Sequence, residues 1–264
     1  IAGLTCARLL SDTAHVTVFE KARGMGGRMA VRYFDDIKMD FGAQSFTVRT
    51  PEFQDFISPF LDSGTIAPWS PRLIKVSTEG TEWLQPWNLR EPHYVGVPTM
   101  NRWLKSVVPM ETVKLSQPIA RVERSNDKTW SVLSSRGECL GQYDWVISTA
   151  PAPQTHALFP SSFNAADELL GVQYDACHAV MFDFNQAEIK PSWDAAFIDD
   201  GSVLSWVANN ASKPGRADEL AAVALSDYAW SQQNLDKDSH PLYERMLEAA
   251  SDLYGVSRSA LRFL

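Results

Sequence analysis

Cysteine is scarce in this 264-residue sequence. Cys6, Cys139 and Cys177 stand far apart and form no Cys-x-x-Cys pair. A disulfide framework and a thiolate zinc site are therefore not expected, and reduced thiols fit a cytoplasmic location. Histidine is also sparse: His15, His93, His156, His178 and His240 show neither His-x-His nor His-Glu-x-x-His spacing, so no metal site is expected. There is no Gly-x-Ser-x-Gly elbow of a serine hydrolase, no internal repeat, no stretch that reads as a signal peptide and no apolar run of bilayer-spanning length. Cations are outnumbered, 24 Lys+Arg against 32 Asp+Glu, which gives 24 − 32 = −8. That balance argues against nucleic acid or an anionic membrane as a partner.

What is present suits a globular chain with a sizeable core: 45% of the residues are hydrophobic and 21% charged. The apolar spacing of Leu4, Ala7, Leu9 and Leu10 predicts a helix over Ala2 to Leu10, and the β-branched run His15 to Glu20 predicts a strand ending in an acid. Thr50 followed by Pro51 predicts a helix start, with Phe53, Phe56, Ile57, Phe60 and Leu61 on one face. A turn and strand are expected over Met39 to Val48, strands and loops over Thr65 to Val97, and a helix over Pro98 to Val107. Val113 to Glu123, Thr129 to Ser134 and Tyr143 to Thr149 read as three strands. Further strands are expected over His178 to Phe184, Ala195 to Ile198 and Val203 to Ala208. Leu220 to Tyr228 is alanine-rich and ambiguous. Ser239 to Tyr254 reads as a helix with Ser239 as its N-cap and Gly255 as its stop.

The chemistry concentrates near the start. Gly3 precedes Glu20 by seventeen residues, and Gly24-Met25-Gly26-Gly27-Arg28 follows. Gly3 reads as the last glycine of a Gly-x-Gly-x-x-Gly turn, where a side chain would hold the helix start away from a pyrophosphate. Glu20 lies at the distance where an acid accepts from ribose hydroxyls. Gly26 and Gly27 let backbone amides face phosphate oxygens, and Arg28 matches phosphate with a two-pronged donor. Two such turns in tandem suit FAD better than NAD. An NAD-dependent dehydrogenase is a weaker alternative. The chain opens in mid-motif, so the first strand is expected to lie outside it.

Glu20-Lys21-Ala22-Arg23-Gly24-Met25-Gly26-Gly27-Arg28-Met29 resembles the Glu-Lys…Gly-Gly-Arg segment of the flavin amine oxidase and phytoene desaturase superfamily. Asp40-Phe41-Gly42-Ala43-Gln44-Ser45-Phe46-Thr47 resembles the renalase branch. So do Tyr94-Val95-Gly96-Val97-Pro98-Thr99-Met100, Ser212-Lys213-Pro214-Gly215-Arg216 and Trp230-Ser231-Gln232-Gln233-Asn234-Leu235. The resemblance implies an α/β fold: a Rossmann-type FAD-binding domain with an inserted β-meander, plus an α+β substrate domain, as in the p-hydroxybenzoate hydroxylase type. The FAD-binding domain is expected at 1–48 and 110–155, and the substrate domain at 49–109 and 156–264. A C-terminal Gly-Asp motif beside the flavin is expected outside this chain.

The activity implied is oxidation of isomeric dihydro-NAD(P), with O2 as acceptor and H2O2 as product. An amine oxidase or desaturase of the same superfamily is the alternative, and a non-catalytic fragment that keeps the fold is the rival of another class. Gly3, Glu20, Lys21, Gly26 and Gly27 would form part of the cofactor set. Arg28 would touch FAD phosphate or ribitol, Ala43 and Gln44 would lie along the isoalloxazine, and Val122 would present its backbone to adenine. Ser45 stands where many relatives carry an aromatic residue. Pocket candidates are Gln44, Ser45, Tyr94, Pro98, Trp206 and Asn209, in an aromatic, mostly apolar site. Trp87, Trp230 and Asn210 are further candidates that read equally as core or turn. Lys213 to Arg216 reads as a small basic turn, either solvated or touching a substrate phosphate.

Overall fold

A computed structural model describes the chain apart from residue 36, residues 86–90, residue 126, residues 186–190 and residues 218–219. Trp87 therefore lies outside the described residues. The chain divides into two compact units, Ile1–Gly27 with Leu104–Tyr174, and Arg28–Trp103 with Asp175–Leu264.

In the first unit the helix Ala2–Leu10 buries Leu4 and Ala7, one turn apart, as the apolar spacing requires. The expected strand after it is short, Val18–Phe19, and pairs in parallel with Val113–Lys114. The Glu20 amide extends that ladder by donating to the Lys114 carbonyl at 2.9 Å. An antiparallel meander follows in the order Arg121–Arg124, Trp130–Leu133, Cys139–Tyr143. Its third strand ends at Tyr143, where the expected one began. Residues 144–149 have no strand neighbour among the described residues, and an isolated extended segment gains no ladder. Trp145 and Ile147 in that stretch are exposed. Two short helices, Ala152–Leu158 and Ala166–Leu170, close the unit.

The second unit is built on a seven-stranded mixed sheet in the order Leu261–Phe263, Ala179–Phe184, Ala221–Ser226, Leu204–Asn209, Ala195–Asp199, Leu73–Ser77, Gly80–Trp83. Among the described residues its one parallel pairing joins Ala195–Asp199 to Leu73–Ser77. Alanine-rich Ala221–Ser226 lies between two neighbours, and both alternating sets of its side chains are buried. Small side chains fit there, and burial overrides the helix preference of alanine. On one face the helix Ser239–Tyr254 buries Leu242, Met246, Leu247 and Ala250. Met246, Leu247 and Ala250 share a core cluster with Phe182, Val207, Ala222 and Ala224. The helix is capped by Asp238, whose carboxylate accepts the His240 amide at 3.2 Å; Ser239 is the first helical residue rather than the cap. Gly255 ends it with φ 66°, a left-handed stop that the sequence signals.

A separate cluster of the same unit gathers Met39, Trp69, Leu73, Val95, Met100, Trp206, Ala208 and Val223. Met39 comes from the hairpin Val31–Phe34/Ile37–Asp40. Its burial in this cluster is why residues 28–48 group with the second unit, whereas the sequence assigned them to the first. At the other boundary the Ala152 amide donates to the Tyr174 hydroxyl at 3.0 Å, and the Phe159 ring packs on Trp130 and Phe163. Those contacts keep residues 156–174 in the first unit. The helix Pro51–Asp62 starts as its sequence requires, with the Thr50 hydroxyl accepting the Phe53 amide at 3.2 Å. The helix expected over Pro98 to Val107 is only a 3-10 turn, Arg102–Ser106. Among the described residues no helix is long and apolar enough to cross a membrane.

Candidate functional site

The first unit holds Gly3, Glu20, Lys21, Gly26, Gly27 and Val122. A Cβ on Gly3 would come within 3.0 Å of Thr149 Oγ1 and 4.0 Å of Val18 Cγ1. The tight neighbour is the Thr149 hydroxyl, while Val18, on the strand that precedes Glu20, is at ordinary contact distance; a bulkier residue at the helix start would crowd the Thr149 side chain. One Glu20 carboxylate oxygen accepts the Ala22 amide at 2.8 Å, which shapes the turn. A carboxylate has acceptor capacity beyond that one bond. Lys21 is exposed and donates to Gln154 Oε1 at 3.3 Å. Gly27 is exposed with φ 54°, and open space surrounds the place where its Cβ would be, so its backbone is accessible to a ligand. Val122 is buried on Arg121–Arg124, an edge strand paired with Trp130–Leu133 alone among the described strands. An edge strand keeps a free row of backbone groups.

The second unit holds Arg28, Ala43, Gln44 and all the pocket candidates. Arg28 is exposed at its side chain, while its carbonyl accepts the Ala43 amide at 2.9 Å. That bond brings two predicted residues together across the turn. Gln44 is buried, and its amide group is fully engaged. Nε2 donates to the Asp40 carbonyl at 2.6 Å and to the Gly42 carbonyl at 2.8 Å, and Oε1 accepts from Lys213 Nζ at 2.9 Å.

Behind this turn lies a charged cluster that the sequence reading missed. Asp40, Lys213 and Arg216 have side chains no more than 1% exposed. Arg216 pairs with Asp40 Oδ2, the Met100 amide donates to Oδ1 at 2.9 Å, and Lys213 Nζ lies 3.4 Å from Oδ2. Arg216 also donates to the Gly96 and Pro214 carbonyls. Lys213 stands over the Trp69 ring, 5.5 Å from its centroid. The two cations of the turn read as solvated or touching a substrate phosphate are therefore buried side chains paired with Asp40. No local signal reveals this, because its anion lies 173 residues away in sequence.

The charges act on one another. Burial alone would raise the Asp40 carboxyl, but the Lys213 and Arg216 charges, with hydrogen bonds from Arg216 and the Met100 amide, more than offset it and hold it below its ordinary value. Burial lowers Lys213 to about 8; Asp40 opposes that fall and Arg216 adds to it. Two cations and one anion leave this dry cluster with an excess positive charge while Lys213 is protonated.

Ser45 and Tyr94 come from neighbouring segments, since Phe46–Thr47 pairs with His93–Gly96. The Ser45 hydroxyl and His93 Nδ1 lie 3.1 Å apart, half-buried; burial chiefly lowers His93, with Glu91 opposing and Arg49 adding to the shift. Tyr94 packs its ring on Phe46, with centroids 5.9 Å apart. Pro98 is exposed and follows a cis peptide bond. Trp206 is buried, packs edge-on against Phe197, and its indole N–H has no acceptor among the described residues. Asn209 is tied up elsewhere. Its Nδ2 donates to the Trp193 carbonyl at 2.9 Å and its Oδ1 accepts from Tyr254, whose phenol burial raises well above its ordinary value. Asn210 donates to the Lys38 carbonyl at 2.8 Å, and Trp230 packs edge-on against His178. A surface cavity of about 400 Å³ lined by Gly201, Ser202, Val203, Arg245, Glu248 and Asp252, among others, includes none of the six pocket candidates.

The family description NAD(P)-binding Rossmann-like domain matches residues 1–60. Among solved structures, the chain is similar to a protein from Exiguobacterium sp. 255-15 assigned as a protoporphyrinogen oxidase, at TM-score 0.74 and 11% identity, covering 97% of this chain and 81% of that one. It is similar to a redesigned variant of putrescine oxidase at TM-score 0.71 and 11% identity, covering 99% and 82% of the two chains. Wild-type putrescine oxidase bound to putrescine gives TM-score 0.69 and 11% identity, covering 99% and 81%. At that identity the likeness speaks to architecture. The chain has a mixed α/β fold with a Rossmann-like dinucleotide-binding segment, shared with these oxidases.

Proposed function

We propose that this protein is an FAD-dependent oxidoreductase of renalase-like type, oxidising isomeric dihydro-NAD(P) with O2 as acceptor and H2O2 as product. The observation that carries the reading lies in the first unit: Gly3 sits in the first turn of the helix Ala2–Leu10, and Glu20 directly follows the parallel strand Val18–Phe19. A larger residue at Gly3 would crowd the Thr149 side chain. The glycine turn 24–27 follows, with accessible backbone at Gly27 for a phosphate. In the second unit, Arg28, Ala43 and Gln44 meet around one turn, which fits the roles that the resemblance gives them.

Bound FAD supplies a hydride acceptor at N5 and passes the electrons on to O2. The protein's own part is modest, because a dihydropyridine that loses hydride becomes an aromatic pyridinium and needs no strong base. Binding, orientation and exclusion of water suffice. Tyr94, Trp206 and Ser45 are the side chains proposed to border the substrate. An amine substrate is the alternative reading, favoured by the similarity to putrescine oxidase bound to putrescine.

Anaerobic mixing of the FAD-loaded protein with 2-dihydro-NAD, 6-dihydro-NAD and a panel of mono- and diamines separates the two. Flavin bleaching within seconds by the dihydro isomers, and none by amines, is expected. Bleaching by an amine alone would replace the substrate assignment.

A further inference from the structure

We propose that Lys213 is a positioning residue: it fixes the 40–45 turn through Gln44, and so sets the surface that this turn offers to the flavin ring. The inference rests on the FAD reading above and adds a role for a buried cation that the reading does not use.

Lys213 adds its charge to the neutralisation of Asp40 but is not needed to hold the carboxylate in place. Arg216 and the Met100 amide already hold its two oxygens, and Lys213 is the more distant partner at 3.4 Å. The shortest polar contact of Lys213 is instead the 2.9 Å bond to Gln44 Oε1. That bond completes the amide, whose other end already grips two carbonyls of the same turn. A rotated Gln44 would leave the Lys213 ammonium without its nearest acceptor in a dry site, which is costly. With its side chain committed to these bonds, Gln44 is buried between Ala43 and Ser45. Trp69 closes the ammonium from another side with its ring face.

The test uses the full chain with FAD. Lys213→Met keeps the Asp40–Arg216 pair and the aliphatic volume while deleting the donor to Gln44. Expected are a thermal midpoint close to wild type, a shifted visible circular dichroism of the bound flavin, and an FAD dissociation constant raised about tenfold, in line with one lost charge-assisted hydrogen bond. Gln44→Met should give the same change in dichroism and affinity but a lower thermal midpoint, because it strands the Lys213 ammonium and two carbonyls; the double variant should bind no more weakly than Gln44→Met, because without Gln44 the Lys213 donor has no bond left to lose. Wild-type affinity and dichroism in Lys213→Met overturn the proposal, as do additive losses in the double variant. If Lys213→Met does not fold, Gln44→Met carries the test, and an unchanged spectrum there overturns it. A wild-type chain that takes up no FAD overturns both readings, whereas a binding wild type with an indifferent Lys213→Met overturns this one alone.

Discussion

Asp40→Asn is expected to destabilise the protein by about 3–5 kcal/mol, the usual cost of removing one member of a buried ion pair. The substitution conserves volume, so the loss is electrostatic. Arg216 and Lys213 would be left as two buried cations without the carboxylate that both pair with. Urea denaturation of both proteins measures the difference. The pH dependence checks the cause. Asp40 is held below its ordinary value in the fold, so its contribution is present above that value and is lost as pH falls through the folded one. Lys213 gives a slope of the same sign, but as a burial cost that is relieved rather than a gain that appears. Its folded value of about 8 lies below the ordinary 10.5, so between these values the unfolded chain binds more protons and stability rises with pH; the cost of burying the charge is full below 8. The Asp40–Lys213 attraction exists only while Lys213 is charged. The penalty of Asp40→Asn should therefore shrink as pH rises through 8. A penalty that is equal at pH 7 and pH 9 would show that Lys213 does not take part.

Gly42→Ala is expected to be nearly as damaging, on the order of 2–4 kcal/mol, as an uncompensated core clash. A Cβ there would sit 2.1 Å from the Arg28 carbonyl oxygen and 3.1 Å from its carbon. Both are backbone atoms, so no flexible side chain can swing away. Relief requires separating the two strands of chain that the Ala43 amide and the Arg28 carbonyl join. Gly24→Ala is the matched control, since nothing lies within 4 Å of its added Cβ, and a change within about 0.5 kcal/mol is expected there. Equal losses from both substitutions would remove close approach as the reason for Gly42. The same pair separates stability from ligand binding: Gly42→Ala should also weaken FAD uptake, because it distorts the turn proposed to face the ring.

The sequence made local features legible where one residue type had one physical use. Thr50 before Pro51 marks a helix start whether or not the helix is packed, and Gly255 marks a stop because few other residues adopt a left-handed backbone without strain. The helices Ala2–Leu10 and Ser239–Tyr254 were readable because their apolar spacing is long enough to define a face. Features set by distant partners were not. Ala221–Ser226 is a strand because two strands flank it and both its faces are buried, information that alanine does not carry. Residues 144–149 have the composition of a strand but no strand neighbour among the described residues. Lys213 and Arg216 have the composition of a surface turn, and only the fold brings Asp40 to them. The candidate cofactor residues follow the same division. Gly3 and Glu20 are readable from spacing along the chain, whereas the inward commitment of Gln44 depends on a lysine contributed from far downstream.

The central claim is that the early glycine turns cradle a flavin dinucleotide, and titration of the purified chain with FAD tests it most directly. Saturable uptake near one equivalent is expected, with flavin absorbance retained after gel filtration and with binding abolished by Gly3→Val. A preparation that stays colourless at saturating FAD, or one that holds FAD equally well with valine at position 3, would contradict the account.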